Sequence, residues 1–360
     1  MFTLTSEQRT IQQAARDLVR ERLPVAHLRA LRDRRDPLAL SRPLWRELAA
    51  LGWAGALVPE ELGGSGLGLV ELGLILEECG RTLAPTPILS TAVLGAGLLL
   101  AAASPRRDLL AALCAGDALI AVAFEEQPTY APRALTTTAD RTAGGWTITG
   151  AKVNVLDGPA ADHLIVSALT ADGPSLFLLP AGTAGVHIAP LTRIDSRGAA
   201  NVTFTAAAGP ETALLGPATL LDPILDRATA ALCAEMLGAA QEVFDRTIAY
   251  LKERQQFGVP IGSFQALKHR AARMYCDLEL TRSLVRAALH TVDPTLVSAA
   301  KARTSDTFLH IANEAIQLHG GIGATDDLDI GLYLKRARVA SMLLGTAAHH
   351  RARFATLSGY

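Results

Sequence analysis

"YLKERQQFGVPIGSFQALKHR", residues 250–270, joins two helical patterns through a turn. The long apolar-periodic run on its left stops at Gly258 and Pro260, and a new helix begins near Ser263-Phe264-Gln265. Glycine admits backbone conformations that other residues avoid, and proline cannot continue a helix. Taken singly, Arg254 reads as a surface charge, Phe257 as a core aromatic and Gln265 as a helix start. Taken together, they place a guanidinium three residues before an aromatic, at the elbow between two long helices.

Downstream, a third helical pattern covers about 296–318 and ends at Gly320-Gly321, and a last one spans about 328–357. Four long helices in succession predict a bundle. Upstream, from about residue 118, short segments such as "HLIVSALT" and "NVTFTAAA" are rich in Val, Thr, Ile and Phe. Gly144-Gly145 and Asp172-Gly173 are hairpin signals between such segments. They predict a compact β barrel or sandwich. Before it the pattern is helical again, beginning at a cap, Thr5 or Ser6, and including helices over about 90–103 and 105–115. The expected fold is α+β and multidomain: an N-terminal helical domain (1–117), a central β-barrel domain (118–212) and a C-terminal four-helix bundle (213–360). The β segment interrupts two helical regions instead of alternating with them, which excludes a doubly wound sheet.

The 360 residues carry 34 basic and 35 acidic side chains, so no polyanion-binding surface is expected and nucleic acid is excluded as a partner. Cys79, Cys114, Cys233 and Cys276 are far apart and form no C-x-x-C pair, which speaks against a metal site or disulfide framework and fits a cytoplasmic location. The amphipathic, charged N-terminus lacks the apolar core of a signal peptide. The most apolar run, residues 91–104 between Pro87 and Pro105, is short for a membrane span and reads as a buried helix. His349 and His350 are adjacent, so on a helix they point about 100° apart and make poor metal co-ligands. G-x-G-x-x-G after a strand, G-x-x-x-x-G-K-[ST], H-E-x-x-H and G-x-S-x-G are all absent.

A second signal is "QLHGGIGATDD", residues 317–327, with Gln317 ahead of Gly320-Gly321. A double-Gly turn lets backbone N–H groups approach an anion, and a helix C-cap explains it equally well locally. In order and spacing, the two bundle stretches, the N-terminal "ELAALGWAGALVPEELGGSGLGLVELGLILEECGR" and the β stretch "GGWTITGAKVNVLDGPAADHLIVSA" resemble the acyl-CoA dehydrogenase family over essentially the whole chain. That resemblance implies FAD, a dimer-of-dimers tetramer and α,β-dehydrogenation of an acyl-CoA thioester, with electron-transfer flavoprotein or a similar acceptor as electron partner. It also implies that FAD is shared across a subunit boundary. The positions matching the neighbour-facing set are Arg254, Phe257, Gln265, Gln317, Gly320 and Gly321. Thr346 matches the residue that meets FAD from the chain's own last helical region.

The chain departs from that pattern where catalysis should be. Many members carry a Glu immediately before the Gly-Thr pair as the α-proton base, and here the place is held by Leu344. A second branch puts the base at the start of the first bundle helix, a place that falls on Ala228. A positioned base contributes roughly 10²–10⁴ in rate. Glu235, seven residues past Ala228 and so nearly on its helix face, and Asp226 are the weak substitute candidates, each with a structural role as its plainer reading. The family's Thr-Glu-Pro run becomes "AFEEQP" with Phe124 in the Thr place, and its aromatic-Ile-Thr triad becomes Asn154-Val155-Leu156. The pattern resembles the base-lacking subunits of heteromeric actinobacterial-type enzymes, in which a homologous chain supplies the base. A self-sufficient enzyme with a displaced carboxylate, an acyl-CoA-binding scaffold without catalysis, and a flavin monooxygenase on the same fold are the alternatives.

Overall fold

The protein is described by a computed structural model over residues 3–104 and 106–360. Pro105, where the sequence places one helix start, lies outside the described residues, as do Met1 and Phe2. In chain order the helices before the strands are α1 (Ser6–Arg22), α2 (Val25–Asp33), α3 (Arg42–Ala50), α4 (Leu69–Arg81), α5 (Ala96–Ala101) and α6 (Arg107–Cys114). The strands β1 (Ile120–Ala123), β2 (Thr138–Thr142), β3 (Gly145–Leu156), β4 (His163–Thr170), β5 (Gly173–Pro180), β6 (Val186–Pro190), β7 (Ala199–Gly209) and β8 (Leu214–Pro217) follow. Then come α7 (Leu221–Glu253), the two-residue strands β9 (Gln255–Gln256) and β10 (Val259–Pro260), α8 (Gln265–Thr291), α9 (Pro294–His319), α10 (Ile330–Ala340) and α11 (Ala347–Leu357). The order is helices, sheet, helices.

The chain forms two compact units that cut across this linear order. A helical unit comprises Met1–Arg29, Leu69–Ala84 and Thr229–Tyr360. A sheet unit comprises Ala30–Gly68 and Pro85–Ala228.

In the helical unit, Thr5 caps α1 through a capping box with Gln8. Helices α4 and α7 approach until their backbones touch, because glycines face the contact. A Cβ on Gly80 would strike the carbonyl of Glu235, and one on Gly238 the carbonyl of Glu77. The buried α4 carboxylates are paired: Glu77 with Arg282 (3.0 Å) and Arg286 (2.5 Å), Glu78 with Arg16 (2.9 Å). Burying charge is tolerable only with such partners.

In the sheet unit, the strand order is β6-β7-β3-β2-β4-β5-β8, with β1 added in parallel to β4. Alternate residues of β3 and β7 face an aliphatic core that holds Ile148, Val202 and Phe204, with Trp146 edge-on to Phe177 at 5.1 Å. The apolar run after Pro87 is buried as a π-helical segment, Ile88–Gly95, continuing into α5. Among the described residues no helix is long and apolar enough to cross a membrane. Among the same residues no group of three or more His, Cys, Asp or Glu side chains could hold a metal ion.

Candidate functional site

The elbow at 250–270 is a β-hairpin wedged between two helices. The amide of Arg254 still bonds back to Tyr250 at 2.9 Å, and the carbonyl of Arg254 accepts from Ile261 at 2.8 Å, closing the hairpin base. Val259 pairs with Gln256 and Pro260 with Gln255. That leaves Phe257 and Gly258 as the two-residue turn, at φ +55° and +78°. Both lie in the left-handed region, as a type I′ turn demands. For glycine this is free, but for phenylalanine it costs on the order of 1–2 kcal/mol. The Phe257 ring gains little packing in return: it is 91 % exposed and touches Phe264 only edge-on, at 6.0 Å. The core reading of Phe257 therefore fails, and the chain holds an aromatic outward on a strained tip.

The double-Gly turn is brought to the same helix. Tyr250, one turn before Arg254, stacks on His319 at 4.4 Å, and its hydroxyl donates to the His319 carbonyl at 3.3 Å. Gln317 and Gly320-Gly321 flank that histidine and are exposed, as are Arg254 and Gln265 at the first position of α8. Gly320 ends α9 by bonding back to Gln317, so the C-cap reading holds for it. The C-cap does not account for Gly321, since its φ is not left-handed and a Cβ there would meet no atom of this chain within 4 Å. Gly321 leaves room for something outside the chain. A guanidinium, an outward aromatic and an unobstructed backbone fit the diphosphate-and-purine end of a dinucleotide.

The α10–α11 turn sits in the same unit. Leu344 is buried at φ +56°, followed by Gly345 at φ +100°. Its carbonyls are gripped from inside. The fully buried Lys301 donates to Gly345 (2.9 Å), Ala340 (3.1 Å) and Ser341 (3.4 Å), and His350 Nε2 lies 2.8 Å from the Leu344 carbonyl. Burial pulls Lys301 down to about 8 and His350 to about 4. Thr346 is exposed, and its hydroxyl caps α11 by accepting from His349 at 3.2 Å. The turn keeps a rigid, defined shape with an apolar side chain at its centre.

Neither weak base candidate is idle. Glu235 accepts from Arg336 at 2.9 Å in an ion pair with both side chains nearly buried. Asp226 is buried and has an interaction of its own.

In the sheet unit, the stretch after β1 is rebuilt with charge. Phe124 is buried. Glu126 receives the fully buried Lys152 ammonium at 2.5 Å, and Thr136 and Thr137 also donate to it. Lys152 donates further to Ser167 at 3.0 Å. Asn154 stands at φ +52° where β3 slips register against β7. Sequence reading missed Glu125, Lys152 and Ser167. The signal was two acids directly after an apolar strand, together with a lysine among apolar residues of the next long one. At the places that match flavin-ring contacts the hydroxyl is replaced by the buried Phe124 and the aromatic-led triad by Asn154-Val155-Leu156, so those places do not fit a ring bound here.

Glu125 makes a pH prediction. Burial pushes its carboxyl from the ordinary 4.5 up to about 7, with Arg193 pulling the other way. The folded state thus keeps a proton that the unfolded chain gives up. This stabilisation is complete below pH 4.5 and is lost as pH rises through 7. Glu125→Gln should therefore stabilise the sheet unit by roughly 1–2 kcal/mol at pH 8, discounted for partial exposure, and by nothing at pH 4. Urea unfolding of both proteins at the two pH values measures it.

Comparison with known proteins places these features. Residues 5–117 match the model for the acyl-CoA dehydrogenase N-terminal domain, and residues 221–356 that for the acyl-CoA dehydrogenase C-terminal domain. Acyl-CoA dehydrogenase IpdE2 of Mycobacterium tuberculosis is 35% identical over 307 residues, covering 84% of this chain and 82% of the relative. Among solved structures, the Tcur3481-Tcur3483 steroid ACAD (G363A variant) superposes with a TM-score of 0.89 at 35% identity, covering 99% and 98% of the two chains. The ChsE4-ChsE5 complex from Mycobacterium tuberculosis superposes at 0.90 with 26% identity, covering 100% and 99%.

Proposed function

The chain belongs to the acyl-CoA dehydrogenase family, and we propose that it is the base-free subunit of a heteromeric FAD-dependent enzyme, completed by a homologous chain that carries the carboxylate. FAD is the family's cofactor and, when bound, would supply the hydride acceptor. The observation that carries the reading is that one unit holds both the turn and the hairpin. The α10–α11 turn is intact but centred on Leu344, while the hairpin presents Arg254 and Phe257 outward with nothing of this chain to cover them.

In this reading the chain's residues bind and shield rather than move protons. Arg254 pairs with the diphosphate, Phe257 and Phe264 cover an apolar edge, and Gly320 and Gly321 keep the backbone accessible. Gln265 and Gln317 supply amide hydrogen bonds at the same edge, and Thr346 meets FAD from the chain's own last helical region. Leu344 excludes water without abstracting a proton. Glu235 remains a partner of Arg336, and Asp226 a structural acid. Similarity to a steroid enzyme and to a two-chain complex supports a bulky acyl-CoA substrate; electron-transfer flavoprotein or a similar acceptor and a cytoplasmic setting complete the proposed reading.

Flavin content tests this. The chain expressed alone should purify with little FAD. Co-expressed with a homologous subunit that bears the base, the pair should hold one FAD per two chains, bleached anaerobically by acyl-CoA. Arg254→Ala in the pair should lower FAD affinity about 100-fold, the loss of a charge-assisted contact. A chain that alone retains one FAD, bleached by acyl-CoA, overturns the proposal.

A further inference from the structure

Two aromatic residues tie the hairpin to the double-Gly turn. His319 is the last residue of α9 and is buried, at 5 % exposed. An imidazole is taken out of water only where its polar atoms find partners. Its Nδ1 lies 2.8 Å from the Ala315 carbonyl, so that nitrogen carries the proton. The ring is stacked on Tyr250 with centroids 4.4 Å apart and planes at 27°. The Tyr250 hydroxyl donates to the His319 carbonyl at 3.3 Å, a second link between the same two residues. The turn Gly320–Ala324 then folds back over the histidine: a Cβ on Gly323 would lie 2.9 Å from the His319 Cβ. His319 is thus fixed by its own helix, by α7 and by the turn that follows it.

These contacts lie between the two segments assigned above to the FAD edge. Tyr250 is four residues before Arg254, on the same face of α7. The helix geometry still holds at Arg254, whose amide bonds to the Tyr250 carbonyl at 2.9 Å. On the other side, His319 is bonded directly to Gly320. The stack is therefore one helical turn from the guanidinium and one residue from the exposed backbone. A diphosphate is a rigid, short object. Groups from two different helices meet it together only if the protein holds their separation beforehand.

We infer that Tyr250 and His319 are positioning residues that fix the distance between Arg254 and Gly320-Gly321, so that one diphosphate meets both. Neither residue touches the cofactor in this arrangement; they act through Arg254. The inference rests on the proposed FAD edge, and its test separates the two. FAD is titrated into the assembly of the chain with its proposed partner, and binding is read from the quenching of flavin fluorescence. His319→Ala should weaken binding about tenfold, the scale of a lost aromatic stack. His319→Phe, which keeps a ring against Tyr250, should recover most of that loss. Tyr250→Leu breaks the stack from α7 and carries the same test where His319→Ala does not fold. Either variant is then combined with Arg254→Ala. Placement of an absent guanidinium no longer matters, so the second change should weaken binding by less than about threefold. Merely loosening the fold would repeat the full tenfold loss in that background, and this result overturns the inference. Unchanged affinity in His319→Ala and Tyr250→Leu, or no recovery in His319→Phe, overturns it too, while an intact Arg254→Ala effect leaves the FAD edge standing. If Arg254→Ala itself binds FAD as the parent does, the FAD edge falls and the inference with it.

Discussion

Gly238→Ala should cost the helical unit at least about 3 kcal/mol, more than a typical surface or core substitution. The added methyl has nowhere to go, because it would land on the carbonyl of Glu77 across the α4–α7 contact. That carbonyl belongs to rigid helix, so the helices must separate. Separation would also drag the Glu77 carboxylate, which holds Arg282 and Arg286 of α8. Thermal unfolding followed by circular dichroism should show the helical signal lost several degrees earlier. Gly321→Ala is the control, since its methyl meets no atom of this chain within 4 Å, and it should leave unfolding unchanged.

Lys152→Met should destabilise the sheet unit by about 3–5 kcal/mol, because it leaves a buried carboxylate without its cation. Burial alone would raise Glu126, yet Lys152, Thr136 and Thr137 hold it down at about 2. Its stabilising share is present above pH 4.5 and is lost only as pH falls through 2. The double variant Glu126→Gln/Lys152→Met removes both charges and keeps an acceptor for Thr136 and Thr137. It should regain at least half of the loss in urea unfolding at pH 7. A double variant no more stable than Lys152→Met would mean that the lysine acts through packing of its methylenes, not through charge.

The architecture was legible because its signals are local. Helical periodicity, hairpin glycines and the order helix–strand–helix all lie within windows of a few residues. The hairpin at 255–260 was readable as a turn for the same reason. The rest depends on pairs far apart in the chain. Glu235 reads as a loose carboxylate until Arg336, 101 residues on, is placed against it. Lys152 reads as a polar intruder in a strand until Glu126 arrives beneath it. The chain around Arg35 and the loop around Ser196, about 160 residues on, line one cavity, and nothing in either announces the other. The left-handed backbone at Leu344 was equally hidden, because a leucine carries no signal for that conformation.

The tip of the 255–260 hairpin has a consequence for the life of an unassembled subunit. Its strands are two residues long, too short to be stable by themselves, and they display a bare aromatic. A protease that favours cleavage after aromatic residues meets a ready substrate there, and a chaperone that binds exposed apolar side chains meets a handle. A partner docked on this tip, as proposed, would remove both at once. Limited proteolysis should therefore cut at Phe257 faster in the chain alone than in the proposed pair.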